Sequence, residues 1–131
     1  MKHMQLRFIE NLTFEVENGP VTWRCDQPAD NGGDGNYPNP SEMFIGSIAM
    51  CAATYAGFFY KREKIDMTGF SIEISYETVG QPKQYSNVVL SITSPNVPEE
   101  KRKKYEKFVD SCIVGQTVKD AVNLKEEFIY P

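Results

Sequence analysis

The chain has 131 residues, 40% hydrophobic and 24% charged, which suits a single soluble domain, residues 1–131, large enough for one core and too small for two. Its 14 Lys and Arg against 18 Asp and Glu give a net charge of −4, which speaks against nucleic-acid binding, since such surfaces need clustered cations to neutralise phosphates. Three cysteines are too few and too odd a number for a secreted disulfide framework, and no basic-then-apolar signal sequence opens the chain, so a reducing cytoplasm is expected. Met1, Lys2 and His3 precede a second methionine, Met4, and read as an appended tail, which leaves the sole histidine without functional weight.

In chain order, Met4, Leu6 and Phe8, then Leu12, Phe14 and Val16, alternate with mainly polar neighbours, the period of half-buried strands. Asn18 and Gly19 form a hairpin signal. A third strand follows, with Val21, Trp23 and Cys25 on its inner face and Thr22 and Arg24 opposite, completing an antiparallel meander. Residues 26–40, with Gly32, Gly33, Gly35 and three prolines, predict a long irregular connection. Asp30, Gly32, Asp34 and Gly35 imitate part of a calcium loop, but Glu42 falls one place late and no helix precedes them. No Gly-Lys-Ser/Thr ending marks a phosphate loop either, so neither metal nor cofactor is expected.

Met43 to Tyr60 carries no charge and predicts a buried central helix. Pro40 suits its first turn, the Ser41 oxygen can cap free N–H groups, and Lys61, Arg62 and Lys64 complement its C-terminal dipole. The run approaches the length of a membrane span, yet Ser47, Thr54, Tyr55 and many small residues suit a packed core helix better. Gly46, Ser47, Ala49, Ala52, Ala53, Ala56 and Gly57 let neighbouring backbones approach closely, and Cys51 lies among them. A helix apolar all round needs cover on every side, so two such helices are expected to pack together in a homodimer.

Phe70, Ile72, Ile74 and Tyr76 alternate, as do Val88, Leu90 and Ile92, and the turn residues from Gly80 to Lys83 predict that the two runs pair as a hairpin. Pro95 and Pro98, followed by Glu99 and Glu100, mark a helix start, with Tyr105, Phe108, Val109 and Cys112 along one stripe. Lys101, Arg102, Lys103 and Lys104 are interleaved with acids and read as a solvated face rather than a binding patch. Gly115 is expected to break the chain before a last strand over 122–130, on which Leu124, Glu126, Phe128 and Tyr130 share one side. The result is an α+β fold of six strands, a long central helix and a second helix.

Gly32 to Gly35, the run Pro38, Asn39, Pro40, Ser41, Glu42, Met43 and Phe44, Cys51 on a small-residue helix, and Cys112 within Ser111–Val118 together resemble the OsmC/Ohr superfamily of osmotically inducible and organic-hydroperoxide-resistance proteins, over nearly the whole chain. The resemblance implies an OsmC-like fold, an intertwined homodimer, and reduction of organic hydroperoxides. Cys51 would then be the peroxidatic thiol, passing through a sulfenic acid, and Cys112 the resolving thiol that closes a disulfide for an external dithiol, often a lipoyl protein, to reduce. Tyr55, Phe58 and Phe59 would line an apolar pocket.

Family hydroperoxide reductases activate the thiol with an arginine from the meander, held by a glutamate directly after the proline of the cysteine helix. Here that place holds Ser41, with Glu42 one position on, and Arg24 or Arg7 would have to serve as the cation. Two other functions fit the same residues: a non-catalytic binder of a small apolar ligand, and a redox sensor oxidised stoichiometrically.

Overall fold

Residues 1–131 are all described by a computed structural model, in which the alternating runs form the expected elements. Strands β1 (Gln5–Glu10), β2 (Thr13–Asn18) and β3 (Val21–Cys25) make an antiparallel sheet with β2 in the middle, inside a compact unit Met1–Ile45. The hairpin signal works as read: Asn18 pairs with Val21 around Gly19, whose φ of 59° is the left-handed conformation that glycine adopts without strain.

The faces of this sheet are opposite to expectation. Thr13 and Glu15 are buried at 2% and 4% exposure, while Leu6, Phe8 and Trp23 stand 64%, 62% and 39% exposed, and Cys25 is only half-buried. The cause is ionic. Arg7, Glu15 and Arg24 lie opposite one another across the three strands, and Glu15 accepts from both guanidiniums, 2.7 Å from Nε of Arg24. Neutralised on both sides, the carboxylate can take the covered face.

The long connection is organised by Asp26, which is fully buried and accepts backbone N–H bonds from Gln27, Asp34 and Asn36 at 2.8, 3.3 and 3.1 Å. Gly33 lies so close to Gln27 that a Cβ there would sit 1.9 Å from its carbonyl oxygen. Helix α1 (Pro40–Glu63) then begins, capped by Asn39 rather than Ser41: the Asn39 Oδ1 accepts from the Glu42 N–H and the Ser41 hydroxyl, both at 2.8 Å.

In the second compact unit, Gly46–Pro131, β4 (Ser71–Val79) and β5 (Gln84–Thr93) pair as the predicted hairpin, and β6 (Lys125–Ile129) joins β5 in parallel, so β5 is central. Val88, Leu90 and Ile92 of β5 are wholly buried, as are Ile48, Ala52, Ala56 and Phe59 of α1. The helix is long and apolar enough to cross a membrane by length and composition alone, and one side of it, through Ile48, Ala52, Ala56 and Phe59, is buried in the second unit.

The second helix is shorter than its stripe suggested. After a 3-10 turn at Glu99–Lys101, α2 covers Arg102–Asp110, and Cys112 falls in a break before α3 (Ile113–Val118). The break precedes Gly115, which lies inside α3 and serves packing instead: a Cβ on it would meet the Cys112 Sγ at 2.9 Å and Leu124 at 3.5 Å.

Two outcomes are expected. Gly115→Ala should lose stability by about 1 kcal/mol in denaturant titration, since crowding the buried sulfur outweighs the gain in helix propensity. Burial alone would raise the Asp26 carboxyl, but its three backbone donors prevail and hold it below the usual carboxylate range. A folded value depressed in this way contributes stability above the unfolded value, near pH 4, that is lost as the pH falls through the folded one. Asp26→Asn should lower the thermal midpoint at neutral pH by several degrees and flatten its acid dependence, and identical melting curves for the two proteins would refute this role.

Candidate dithiol site

The second unit brings Cys51 and Cys112 together from well-separated stretches of sequence. Cys51 lies midway along α1, followed by Ala52 and Ala53, where small side chains leave room for a close neighbour. Cys112 enters from the α2–α3 break, and the two thiols, both free, are near enough for Cys51 to act on the ionisation of Cys112. Their environments differ. Cys51 is half-buried, whereas Cys112 is 1% exposed.

Burial pushes the Cys112 thiol up to about 11, against a hydrogen bond from the Gly115 N–H, and the neighbouring Cys51 and Glu126 push it the same way. Cys112 is therefore protonated at neutral pH. A pair in which one sulfur reaches solvent and the other waits behind it as a thiol can accept an oxidising equivalent at the first and close a disulfide at the second.

Around the pair, Tyr55 packs one turn beyond Cys51 with its ring 5.3 Å from Phe108 and 5.8 Å from Phe58. Phe58 is 55% exposed, and Phe59 is fully buried with its ring 5.1 Å from Tyr105, inside the core. Arg7 and Arg24 belong to the first unit, where both are engaged by Glu15; hydrogen bonds from Arg24 and then Arg7 hold the Glu15 carboxyl below its usual range. Arg24 also lies over the Tyr37 ring, 5.8 Å from its centre. Glu42 is exposed in the first turn of α1. No three His, Cys, Asp or Glu side chains gather at metal-binding spacing.

One residue of this neighbourhood was not singled out by the sequence reading. Glu126 shares the inner side of β6 with Phe128, in phase with Leu124 just before the strand, and its Oε2 is closed off from solvent without a hydrogen-bond partner. The available signal was a lone charge on the apolar phase of the last strand.

The family model for OsmC-like proteins matches residues 33–127. A solved structure from Psychrobacter arcticus, named for osmotic stress induction and a detoxification response, shares 21% identity over 100% of this chain and 96% of its own, with a TM-score of 0.78. An OsmC-like protein from Mycoplasma pneumoniae is 13% identical over 100% and 96%, with a TM-score of 0.75. The organic hydroperoxide resistance protein OhrB of Bacillus subtilis is 16% identical over 97% and 98%, with a TM-score of 0.63. No curated protein matches the sequence significantly. These structural likenesses share the α+β architecture of a three-stranded sheet, a long helix and a second sheet, and by the reach of the family model the chain belongs to the OsmC family.

Proposed function

We propose that the protein is a thiol-dependent peroxidase that reduces organic hydroperoxides in the cytoplasm. The observation that carries this reading is the pairing of a half-buried Cys51 with a buried, protonated Cys112. The thiolate of Cys51 attacks the peroxide, an S–O bond forms as the O–O bond breaks, and the alkoxide takes up a proton and leaves as the alcohol. Cys112 then displaces the oxygen of the sulfenic acid: the S–S bond forms, and that oxygen leaves as water with the Cys112 proton. An external dithiol, of which a lipoyl protein is one form, returns two electrons and two protons and is itself left as a disulfide. The family membership and the hydroperoxide-resistance protein among its structural relatives support a role in redox stress.

The working form in this reading is a homodimer. Met50 and Phe58 stand 73% and 55% exposed on one side of α1, with Thr54 between them at helical spacing, and Cys51 adjoins this stripe. In the first unit Leu6, Phe14, Val16, Trp23, Cys25 and Met43 line an open apolar cleft of about 260 Å³. Neither surface suits a lone soluble chain.

With cumene hydroperoxide and a dithiol reductant, the wild type should turn over continuously, Cys51→Ser not at all, and Cys112→Ser should stop after one equivalent with a sulfenic acid that dimedone traps. Turnover undiminished in Cys51→Ser defeats the mechanism; one slow equivalent of oxidation in the wild type identifies a sensor, and a co-purified apolar ligand with both thiols inert identifies a binder. Light scattering should give twice the chain mass for the wild type and the single mass for Phe58→Glu, and a wild-type mass that is monomeric at micromolar concentration refutes the dimer.

A further inference from the structure

The carboxyl of Glu126, half-buried with its Oε2 closed off from solvent, has no role in the thiol chemistry described above, yet its position ties it to Cys112. On β6 it stands opposite Leu90, a wholly buried residue of the central strand, so its side chain shares the core side of the sheet. The residues two before and two after it mark what that side covers. Leu124 flanks Gly115 where the Cys112 Sγ also packs, and the Phe128 ring lies 5.7 Å from that of Tyr105 on α2. Glu126 therefore sits beneath the last turns of α2 and the break that holds Cys112.

A buried carboxylate oxygen without a donor is uncommon in folded proteins, because its charge has exchanged water for nothing. The groups that act on it offer no relief. α2 presents Asp110 and Tyr105, the break presents Cys112 with Cys51 behind it, and β5 presents the apolar Leu90. Lys125 and Glu127, its neighbours on β6, are on the exposed side. Burial first, then the charge of Asp110, push the Glu126 carboxyl up to about 7. A negative charge at the buried Cys112 would meet repulsion from the Glu126 carboxylate.

We propose that Glu126 is a positioning residue of the dithiol site, acting through Cys112: its negative charge adds to burial in keeping the proton on the Cys112 sulfur and so moves to higher pH the range in which that sulfur ionises. When Glu126 is ionised, Cys112 keeps its proton until an S–S bond begins to form; when Glu126 is protonated, that opposition is removed. The inference rests on the proximity of Cys112 to Cys51 and extends the dithiol reading to its pH control, without requiring that a peroxide be the oxidant.

The test needs no peroxide, so its outcome is separate from that of the proposed activity. Labelling of Cys112 by iodoacetamide, followed peptide by peptide by mass spectrometry across a pH series, should run about three- to tenfold faster in Glu126→Gln than in the wild type at mildly alkaline pH, as a midpoint lowered by about half to one unit requires. Equal rates and midpoints overturn the proposal. Because the glutamine could loosen the packing, the side-chain carboxyl carbon of Glu126 is also followed by NMR in the wild type and in Cys112→Ser. It should titrate near neutral pH in the wild type and show a second, alkaline inflection that Cys112→Ser lacks, since the influence of two titrating groups is mutual. A midpoint near that of free glutamate, or the same alkaline behaviour in both proteins, overturns it.

Discussion

The ring of Tyr105 is the contact on which the second unit depends. It packs against Phe59 and Tyr60 of α1 at 5.1 and 5.9 Å and against Phe128 and Tyr130 at 5.7 and 6.4 Å, and its hydroxyl pairs with the Ser94 hydroxyl at 2.6 Å. Both polar atoms are thereby satisfied inside the core. Helix α2 has only nine residues, too few to persist alone, so tertiary packing of this kind must hold it. Cys112 follows two residues after the helix ends. A slip of α2 by a single turn, about 5 Å, would carry the thiol beyond reach of Cys51.

The first unit uses its sheet in a way that hydrophobicity alone would not choose. Glu15 is buried at 4% exposure between Arg7 and Arg24, whose guanidiniums remain in part open to solvent, and Leu6, Phe8 and Trp23 are left outward. A charge row of this kind fixes strand register, because sliding by one residue would leave the buried Glu15 carboxylate without its arginines. Apolar surface left outward in that amount is what a second subunit would remove from water.

Much of the fold was legible from period and composition. The alternation along β4 and β5, the charge-free run of α1 and the Asn18–Gly19 turn each signal their element by local chemistry, and each forms as read. What period cannot report is which side of a sheet becomes covered. Period alone would place Glu15 outward between Phe14 and Val16, and only its cross-strand partners reverse that. The same holds for the helix cap, where Asn39 and Ser41 are equally suited by type and only backbone geometry selects the asparagine. Cys112 continued an apolar stripe in projection, but the helix ends before it. Glu126 was visible as an inward member of the last strand, while its lack of a partner is a fact of three dimensions. Of the dithiol site, the two cysteines came from resemblance, and their unequal burial came from structure.

The parallel pairing of β5 with β6 adds a topological consequence. Parallel neighbours need a crossover, here α2 and α3, and Cys112 lies on that crossover while Cys51 lies on the helix that precedes the sheet. A bond between the two sulfurs would close the chain into a covalent ring threaded through both strands of the β4–β5 hairpin and α2. Cross-linking so long a segment restricts the unfolded chain far more than the folded one. Oxidation would then make the protein harder to unfold and reduction would relax it, so the redox state of two atoms would be expressed as the resilience of the whole second unit.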